Sequence, residues 1–387
     1  MRVKRIKLRE IFATNSKKTL EIELETEKVR VRSSVPLGTS KGKFEALYLS
    51  TSEAASKFVF IKNKFLSQNF NSQEEVDDFL HSLDRTENFS EIGANLALAI
   101  SSAFLKAFAA ENHQEVFEFL SKEKAKMPRP ICNIVGFKGS GDVEEYLLLP
   151  VHQTSFRENM EKIMQAYLKV AELLKIRDPS FSFTKDLESA WFTRLSLIEI
   201  LKILTKVSNE FLLKIGLDFA ASHMWDGKQY YSYSMNNYIF STQDQLNFVI
   251  SLARKFPIFY IEDPFNQEDF VSFSVANKQL SPKLICGDDL LATNVKRLKD
   301  AIDLKAISSA IVKPNQIGTI SDTIKFVKLA KENKIFTIMS HRSAETDDNL
   351  ICHLAVGLGC DYIKVGTSGE RVSKINELLR IEEILNK

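Results

Sequence analysis

Six apolar segments in the second half of the chain each end in charged residues that could act together in one site. In chain order these residues are Asp218, Glu262, Asp288, Lys313, His341 followed by Arg342, and Lys364. Carboxylates at the ends of separate strands are hard oxygen ligands, and without a nearby cysteine they suit Mg²⁺ better than Zn²⁺. A lysine beside such a metal would have its ammonium form disfavoured and could act as a general base. Metal and lysine together predict removal of a proton next to a carboxylate.

The spacing of these charged ends predicts the elements that position them. From Glu262 to Lys364 successive ends lie 23 to 28 residues apart, counted from the residue numbers, which is roughly one strand–helix unit. One such unit runs through a helix predicted from Ile320 to Asn333. In a parallel barrel the carboxyl ends of all strands meet at one face. A single charged strand end is most simply a solvated residue, but six in register favour a shared site in a β/α barrel.

The first third of the chain reads differently. Residues 3–9 and 19–35 alternate apolar and polar side chains, as in an antiparallel sheet with one wet face. From Thr51 to Asn112 the pattern is helical, and one segment is nearly all apolar. We therefore predict an α+β domain at 1–125 and a barrel domain at 126–387, joined by the charged, proline-bearing segment K-E-K-A-K-M-P-R-P.

Composition narrows the class of protein. The 387 residues contain 52 Lys and Arg against 50 Asp and Glu, a net charge of +2, which argues against a nucleic-acid or membrane-surface partner. No apolar run approaches the ~18 residues of a membrane span, and the first residues do not resemble a signal peptide. The four cysteines lack metal-type spacing, so we expect reduced thiols and a cytoplasmic protein.

Several longer motifs can be compared with known families: I-E-D-P-F-N-Q-E-D-F, G-D-D-L-L-A-T-N-V-K-R, V-K-P-N-Q-I-G-T, M-S-H-R-S-A-E-T-D-D and V-P-L-G-T-S-K-G-K-F-E-A. These motifs resemble the enolase family, the phosphopyruvate hydratases of glycolysis. The resemblance spans essentially the whole chain and is closest to archaeal members. It implies an α+β capping domain on an enolase-type barrel of order ββαα(βα)6, in the α/β class. That order would explain why P-I-C-N-I-V and E-E-Y-L-L-L-P follow each other without a helix. The family is commonly a homodimer or a higher homo-oligomer.

The resemblance also implies an activity and a base side, meaning the residues that would hold the metal and remove the substrate proton. The activity is the Mg²⁺-dependent dehydration of 2-phosphoglycerate, a small phosphorylated hydroxy acid, to phosphoenolpyruvate. Asp218, Glu262 and Asp288 would hold the first Mg²⁺. Lys313 would abstract the proton at C2 of the substrate, and Lys364 would bind the substrate carboxylate.

The remaining implied residues would bind the phosphate or form the acid side, meaning the residues that would protonate the leaving hydroxyl. Arg342 and Ser343 would bind the phosphate, and His341 would lie near the departing hydroxyl. Ser40, in the loop before the helical segment, would close over the substrate and ligate a second Mg²⁺; the simpler alternative is an ordinary connecting loop. Glu145 matches the first of two family glutamates and would contact the substrate on the acid side.

Two of the family features that are altered here concern the site. The G-D-E-G-G segment, which carries the second glutamate, corresponds to F-T-K-D-L-E-S-A-W, and counting from different anchors reaches Asp186, Leu187 or Glu188. We favour Glu188 as the second catalytic acid, with no acid at all as the alternative. The family histidine between the first two barrel strands is also absent, and Lys138 is a candidate replacement for its charge.

Two functions remain open at this point. The chain is either a working enolase or an enolase-like paralogue with a changed substrate or no turnover, serving as a ligand-binding or scaffold protein. The retained Lys313, His341 and Lys364 favour the enzyme, because a buried lysine is costly to keep without a use. The altered acid side favours the paralogue.

Overall fold

The N-terminal part of the chain is a three-stranded antiparallel sheet covered by helices. The structure is a computed structural model that describes residues 1–387 except 39–41, 122–124, 138–140, 151, 153 and 232–238. The elements of this part are β1 (Val3–Phe12), β2 (Lys18–Thr26), β3 (Arg30–Ser34), α1 (Thr51–Leu66), α2 (Gln73–Leu83), α3 (Ala94–Glu111) and α4 (Val116–Leu120). Strand β2 lies between the other two strands. Its alternating sequence buries Leu20, Ile22 and Leu24 against the helices, as the predicted half-wet sheet requires.

A closed barrel follows this sheet. The later strands are β4 (Arg129–Gly136), β5 (Glu145–Pro150), β6 (Leu213–Asp218), β7 (Tyr230–Tyr231), β8 (Ile239–Phe240), β9 (Ile258–Glu262), β10 (Leu284–Gly287), β11 (Ser309–Val312), β12 (Phe336–Ser340) and β13 (Tyr362–Lys364). Within the described residues eight of them close in the order β10-β11-β12-β13-β4-β5-β6-β9, while β7 and β8 form a separate hairpin. Strand β5 is antiparallel to both neighbours, and the other barrel pairs are parallel.

Helices surround the barrel in the predicted order. They are α5 (Phe156–Arg177), α6 (Leu197–Glu210), α7 (Thr242–Lys255), α8 (Phe270–Leu280), α9 (Val295–Asp303), α10 (Ile320–Glu332), α11 (Leu350–Gly357) and α12 (Val372–Leu385). Helix α10 begins where the sequence predicts, because the side chain of Thr319 accepts the backbone N–H of Asp322 as an N-cap. Two strands, two helices and six strand–helix units confirm the ββαα(βα)6 fold class.

Two hydrophobic cores hold these layers. The interior of the barrel is filled by side chains from its strands, among them Ile131, Leu147, Tyr260 and Ile338. The larger core lies between strands and helices and includes almost all of α3. By length and composition α3 could cross a membrane, but 83% of its apolar window is buried inside the protein, as in the core helix of a globular domain.

Candidate active site

Strand ends bring three carboxylates around one lysine at the carboxyl face of the barrel. Glu145 begins β5, Asp218 ends β6 and Glu262 ends β9, and these residues are paired in register across the three strands. Lys364 ends β13, and its Nζ lies 2.6 Å from Glu145, 2.8 Å from Asp218 and 2.8 Å from Glu262. All four side chains are buried. The ammonium therefore occupies a compact cation-binding cluster of acids.

The second lysine contacts the third predicted acid. Lys313, which follows β11, donates to Asp288, and Gln316 Nε2 donates to the other oxygen of that carboxylate at 3.1 Å. Burial lowers the pKa of both lysines, but Asp288 beside Lys313 and Asp218 beside Lys364 outweigh it, so each pKa is raised. Both lysines are therefore held as ammonium ions by the carboxylates that they face, and the expectation that a metal beside them disfavours this form stays a prediction.

The three predicted metal ligands have different neighbours. Asp218 and Glu262 contact Lys364, whereas Asp288 lies beside two further acids. Among the described residues, carboxylate oxygens of Asp288, Asp263 and Asp289 lie within 4.8 Å of one another and could hold a metal ion. Asp263 already accepts the backbone N–H groups of Asp288 and Asp289 at 3.0 and 2.6 Å, so it shapes the loop. Burial and the charge of Asp288 raise the pKa of Asp289 to about 7. Burial and the charge of Asp218 raise the pKa of Glu262 to about 8.

One observation besides the sequence spacing indicates that Asp218, Glu262 and Asp288 could hold a divalent cation. Glu262 Oε1 is buried and has no hydrogen-bond partner among the described residues, although Tyr260 donates to Glu262 Oε2 at 2.7 Å. A buried carboxylate oxygen without a partner is costly. A cation between Asp218, Glu262 and Asp288 would satisfy this oxygen and the negative charge that raises the Glu262 pKa.

On the acid side, the structure distinguishes the three candidates of the altered segment. Asp186 folds its own loop, since its Oδ1 accepts the backbone N–H groups of Glu188 and Ala190 at 2.8 and 2.9 Å. Leu187 points outward and is 57% exposed. Glu188 is buried, with Oε2 3.7 Å from Nε2 of His341. Of the three, Glu188 alone is a carboxylate that faces the site.

Glu188 and Glu145 form a carboxyl pair next to His341. Burial raises the pKa of Glu145, and Glu188 adds to the rise through its charge and a hydrogen bond, while Lys364 opposes it. Burial and then the charge of Arg371 hold the pKa of His341 well below its usual range, so the imidazole is neutral. Two close carboxyl groups beside a neutral histidine can share and donate a proton.

The residues predicted to bind phosphate lie beyond β12 and are held from several sides. Arg342 is buried, and both terminal nitrogens donate to Glu45 at 3.1 Å. Its backbone N–H donates to Glu345 at 2.7 Å. Arg371, fully buried at the start of α12, donates to the carbonyl of Ser343 at 2.9 Å. The turn after His341 is thereby fixed by charged side chains.

Two of the predicted residues, Ser40 and Lys138, fall outside the described residues. Among the described residues, five at the site were not predicted to take part in it: Asp263, Asp289, Glu45, Gln316 and Arg371. Gln316 follows Lys313 closely in K-P-N-Q-I-G-T, and Glu45 ends V-P-L-G-T-S-K-G-K-F-E, so both stood within recognised motifs. For Arg371 no comparable signal existed beyond the short segment G-E-R.

Comparison with known proteins supports the same reading over the whole chain. The N-terminal domain of enolase matches residues 3–120, and the enolase C-terminal TIM barrel domain matches residues 124–387. The enolase of Archaeoglobus fulgidus is 34% identical and is aligned over 100% of this chain and 98% of its own length. The enolase of Methanocorpusculum labreanum is 35% identical, with 98% of each chain covered. The enolase of Picrophilus torridus is 36% identical, with 99% of each chain covered.

Proposed function

Because the chain belongs to the enolase family of hydro-lyases, we propose that it dehydrates 2-phosphoglycerate to phosphoenolpyruvate with Mg²⁺. One observation carries this proposal: Lys313 and its carboxylate partner lie at the same barrel mouth as the Glu145–Glu188 pair. Proton removal and loss of hydroxide need a base and an acid in one site, and this face supplies both. The retained pair argues against the paralogue that the altered segment had suggested.

Asp218, Glu262 and Asp288 would hold the metal. When bound, the cation supplies Lewis-acid stabilisation of the negative charge that grows on the substrate carboxylate. Its charge would also offset these three acids, which now raise the lysine pKa values. Lys313 would then be able to lose its proton near neutral pH, as a base must.

The base side removes one proton, and the substrate carboxylate is held by a second lysine. Lys313 Nζ takes the proton from C2 of the substrate, and the electron pair of that C–H bond moves toward the carboxylate. Lys364 would orient the carboxylate, since its ammonium is buried at the barrel mouth beside the residues that would hold the metal.

The acid side supplies the proton that the leaving group needs. Glu145, whose pKa is raised by burial and by Glu188, would retain a proton and share it with Glu188. The C3–oxygen bond breaks as the C2–C3 double bond forms, and the hydroxide accepts this proton and leaves as water. Neutral His341 lies beside the pair and would contact the departing hydroxyl.

The phosphate would bind at the turn after β12. Arg342 carries a permanent charge and can bind phosphate through parallel hydrogen bonds. Ser343 would add a hydroxyl, and Ser40 is proposed to close over the substrate and ligate a second Mg²⁺. A small phosphorylated acid would thus be held at both ends, with its C2 proton toward Lys313.

The test is phosphoenolpyruvate formation from 2-phosphoglycerate with Mg²⁺, beside a Lys313→Ala variant. We expect turnover that requires the metal, stops with a chelator and is lost in the variant. Proton exchange at C2 with no product would show that the base works but the acid side does not. If neither activity occurs with folded protein, the proposal is wrong and a binding role remains.

Three further expectations stay predictions. These are a homodimer or higher homo-oligomer, a cytoplasmic location and a domain boundary at residue 125. That boundary would fall between the end of α4 at Leu120 and the start of β4 at Arg129.

A further inference from the structure

The short segment 42–46 of the N-terminal domain crosses the barrel mouth. Lys43 Nζ lies 3.0 Å from Glu268, in the loop after β9. The ring of Phe44 packs against the guanidinium of Arg297, on α9, with 3.6 Å between Cζ and the ring centroid. Consecutive side chains thus contact the loop after β9 and helix α9. The next residue, Glu45, points into the site and contacts Arg342.

Glu45 makes more polar contacts than its neighbours in the segment. Its two carboxylate oxygens accept both terminal nitrogens of Arg342 at 3.1 Å. Oε1 also accepts Gln316 Nε2 at 3.4 Å and the backbone N–H of Gly42 at 3.1 Å. Gln316 Nε2 in turn donates to Asp288 at 3.1 Å. One chain of hydrogen bonds therefore runs from a proposed metal ligand to the proposed phosphate-binding arginine.

The burial of this ion pair makes its geometry important. The side chains of Glu45 and Arg342 are each 6% exposed, so water does not screen the interaction strongly. Burial would lower the pKa of Arg342, but the charge of Glu45 and its hydrogen bonds outweigh this, and the pKa is raised. Asp288 is a second carboxylate whose charge raises this pKa.

We propose that Glu45 is a positioning residue that holds the Arg342 guanidinium in the orientation that receives the phosphate of the substrate. The N-terminal domain would then contribute to substrate binding through a described, buried carboxylate. The inference rests on the proposed function, which assigns the phosphate to Arg342. The role is indirect, because Glu45 would act through Arg342 and not touch the substrate.

The test compares Glu45→Gln with the wild-type protein in two measurements. The first is the KM and kcat for 2-phosphoglycerate, and the second is calorimetric binding of inorganic phosphate. Because a charge-assisted pair of hydrogen bonds is lost, we expect KM and the phosphate Kd to rise together by about 10- to 100-fold. We expect kcat to fall by less than KM rises.

Glu87→Gln is the matched control. Glu87 also pairs with a cation of the barrel domain, Lys296 at 2.8 Å, but it is 86% exposed. This variant should leave KM and phosphate binding unchanged. If Glu45→Gln does not fold, Glu45→Asp keeps the charge but shortens the reach, and it should raise KM in the same direction.

Two results would overturn the inference. Tighter phosphate binding in Glu45→Gln would mean that Glu45 competes with the anion, and unchanged KM and Kd would mean that it does not position Arg342. Absence of turnover in the wild-type protein would instead count against the proposed function. The phosphate titration of the two proteins would still report the effect of Glu45 in that case.

Discussion

The acid side proposed for this site depends on one side chain, Glu188. It is buried beside His341 and shares a hydrogen bond with Glu145, which supports the proposal that this pair protonates the leaving hydroxyl. Its neighbours in the loop cannot replace it. Asp186 is occupied by backbone N–H groups, and Leu187 faces solvent.

We predict that Glu188→Gln lowers kcat by about 10²- to 10⁴-fold, the usual contribution of a general acid. KM should change little, because the phosphate and carboxylate contacts of the substrate lie elsewhere. Steady-state kinetics with 2-phosphoglycerate measures both values. Glu172→Gln, an exposed acid on α5, is the control and should behave as wild type. Unchanged kcat in Glu188→Gln would assign the acid role to another group.

At the scale of elements, the loop between α5 and α6 positions Glu188 through close packing against β4. A short bridge between Lys185 and Trp191 closes the loop. Gly136 ends β4, where an added Cβ would lie 1.9 Å from Asp186 Oδ2. The backbone of β4 can approach this loop only because residue 136 has no side chain.

We predict that Gly136→Ala displaces Asp186 and lowers both stability and kcat. Overpacking at such a contact costs about 1–3 kcal/mol, which urea denaturation can measure. The displaced loop would also move Glu188, so kcat should fall although the acid is still present. A double-mutant cycle with Asp186→Ser tests the cause. If the contact is responsible, the stability cost of Gly136→Ala will be smaller in the Asp186→Ser background than in the wild type; equal costs would contradict this explanation.

The same elements show which parts of the fold and the site the sequence could predict. Apolar runs that end in charges have a regular spacing, so the barrel and strand ends such as Asp218 and Lys364 were predictable. The loop that carries Glu188 has no such period. It is closed by the side chain of Asp186 and includes positive φ values at Phe183 and Ser189. Its sequence therefore left three candidates.

Contacts distant in sequence were also beyond prediction from local pattern. Glu45 and Arg342 are 297 residues apart, and no periodicity relates an N-terminal loop to a barrel strand end. The protonation of Lys313 in the absence of a metal could not be predicted for a related reason. Its pKa depends on the distance to Asp288, which sequence spacing does not give.

At the scale of the whole molecule, buried polar contacts join the two domains. Lys106, on α3, lies 2.7 Å from Asp348, in the loop after β12. The side chain of Asp348 is only 9% exposed and also accepts the backbone N–H of Ser34 at 2.8 Å. On α2 of the N-terminal domain, Asp77 accepts the backbone N–H of Ser321 at 2.8 Å. We expect these contacts to make the domains unfold together.

We predict that Lys106→Met destabilises the protein by about 3 kcal/mol near neutral pH, because it leaves a buried carboxylate without its cation. Burial alone would raise the pKa of Asp348, but Lys106 and backbone N–H groups outweigh it, so the folded-state pKa is low. The wild type therefore gains stability from Asp348 above the unfolded pKa of about 3.9, and this gain is lost as pH falls through the folded-state pKa.

In Lys106→Met the pKa of Asp348 should rise, so its carboxyl group takes up a proton at a higher pH than in the wild type. The destabilisation should consequently be largest near neutral pH and shrink as the solution is acidified. Urea midpoints measured at several pH values follow this difference. The double variant Lys106→Met with Asp348→Asn removes the unpaired charge, so it should recover much of the neutral-pH loss. A destabilisation that is constant with pH would show that Lys106 acts through packing of its stem and not through its charge.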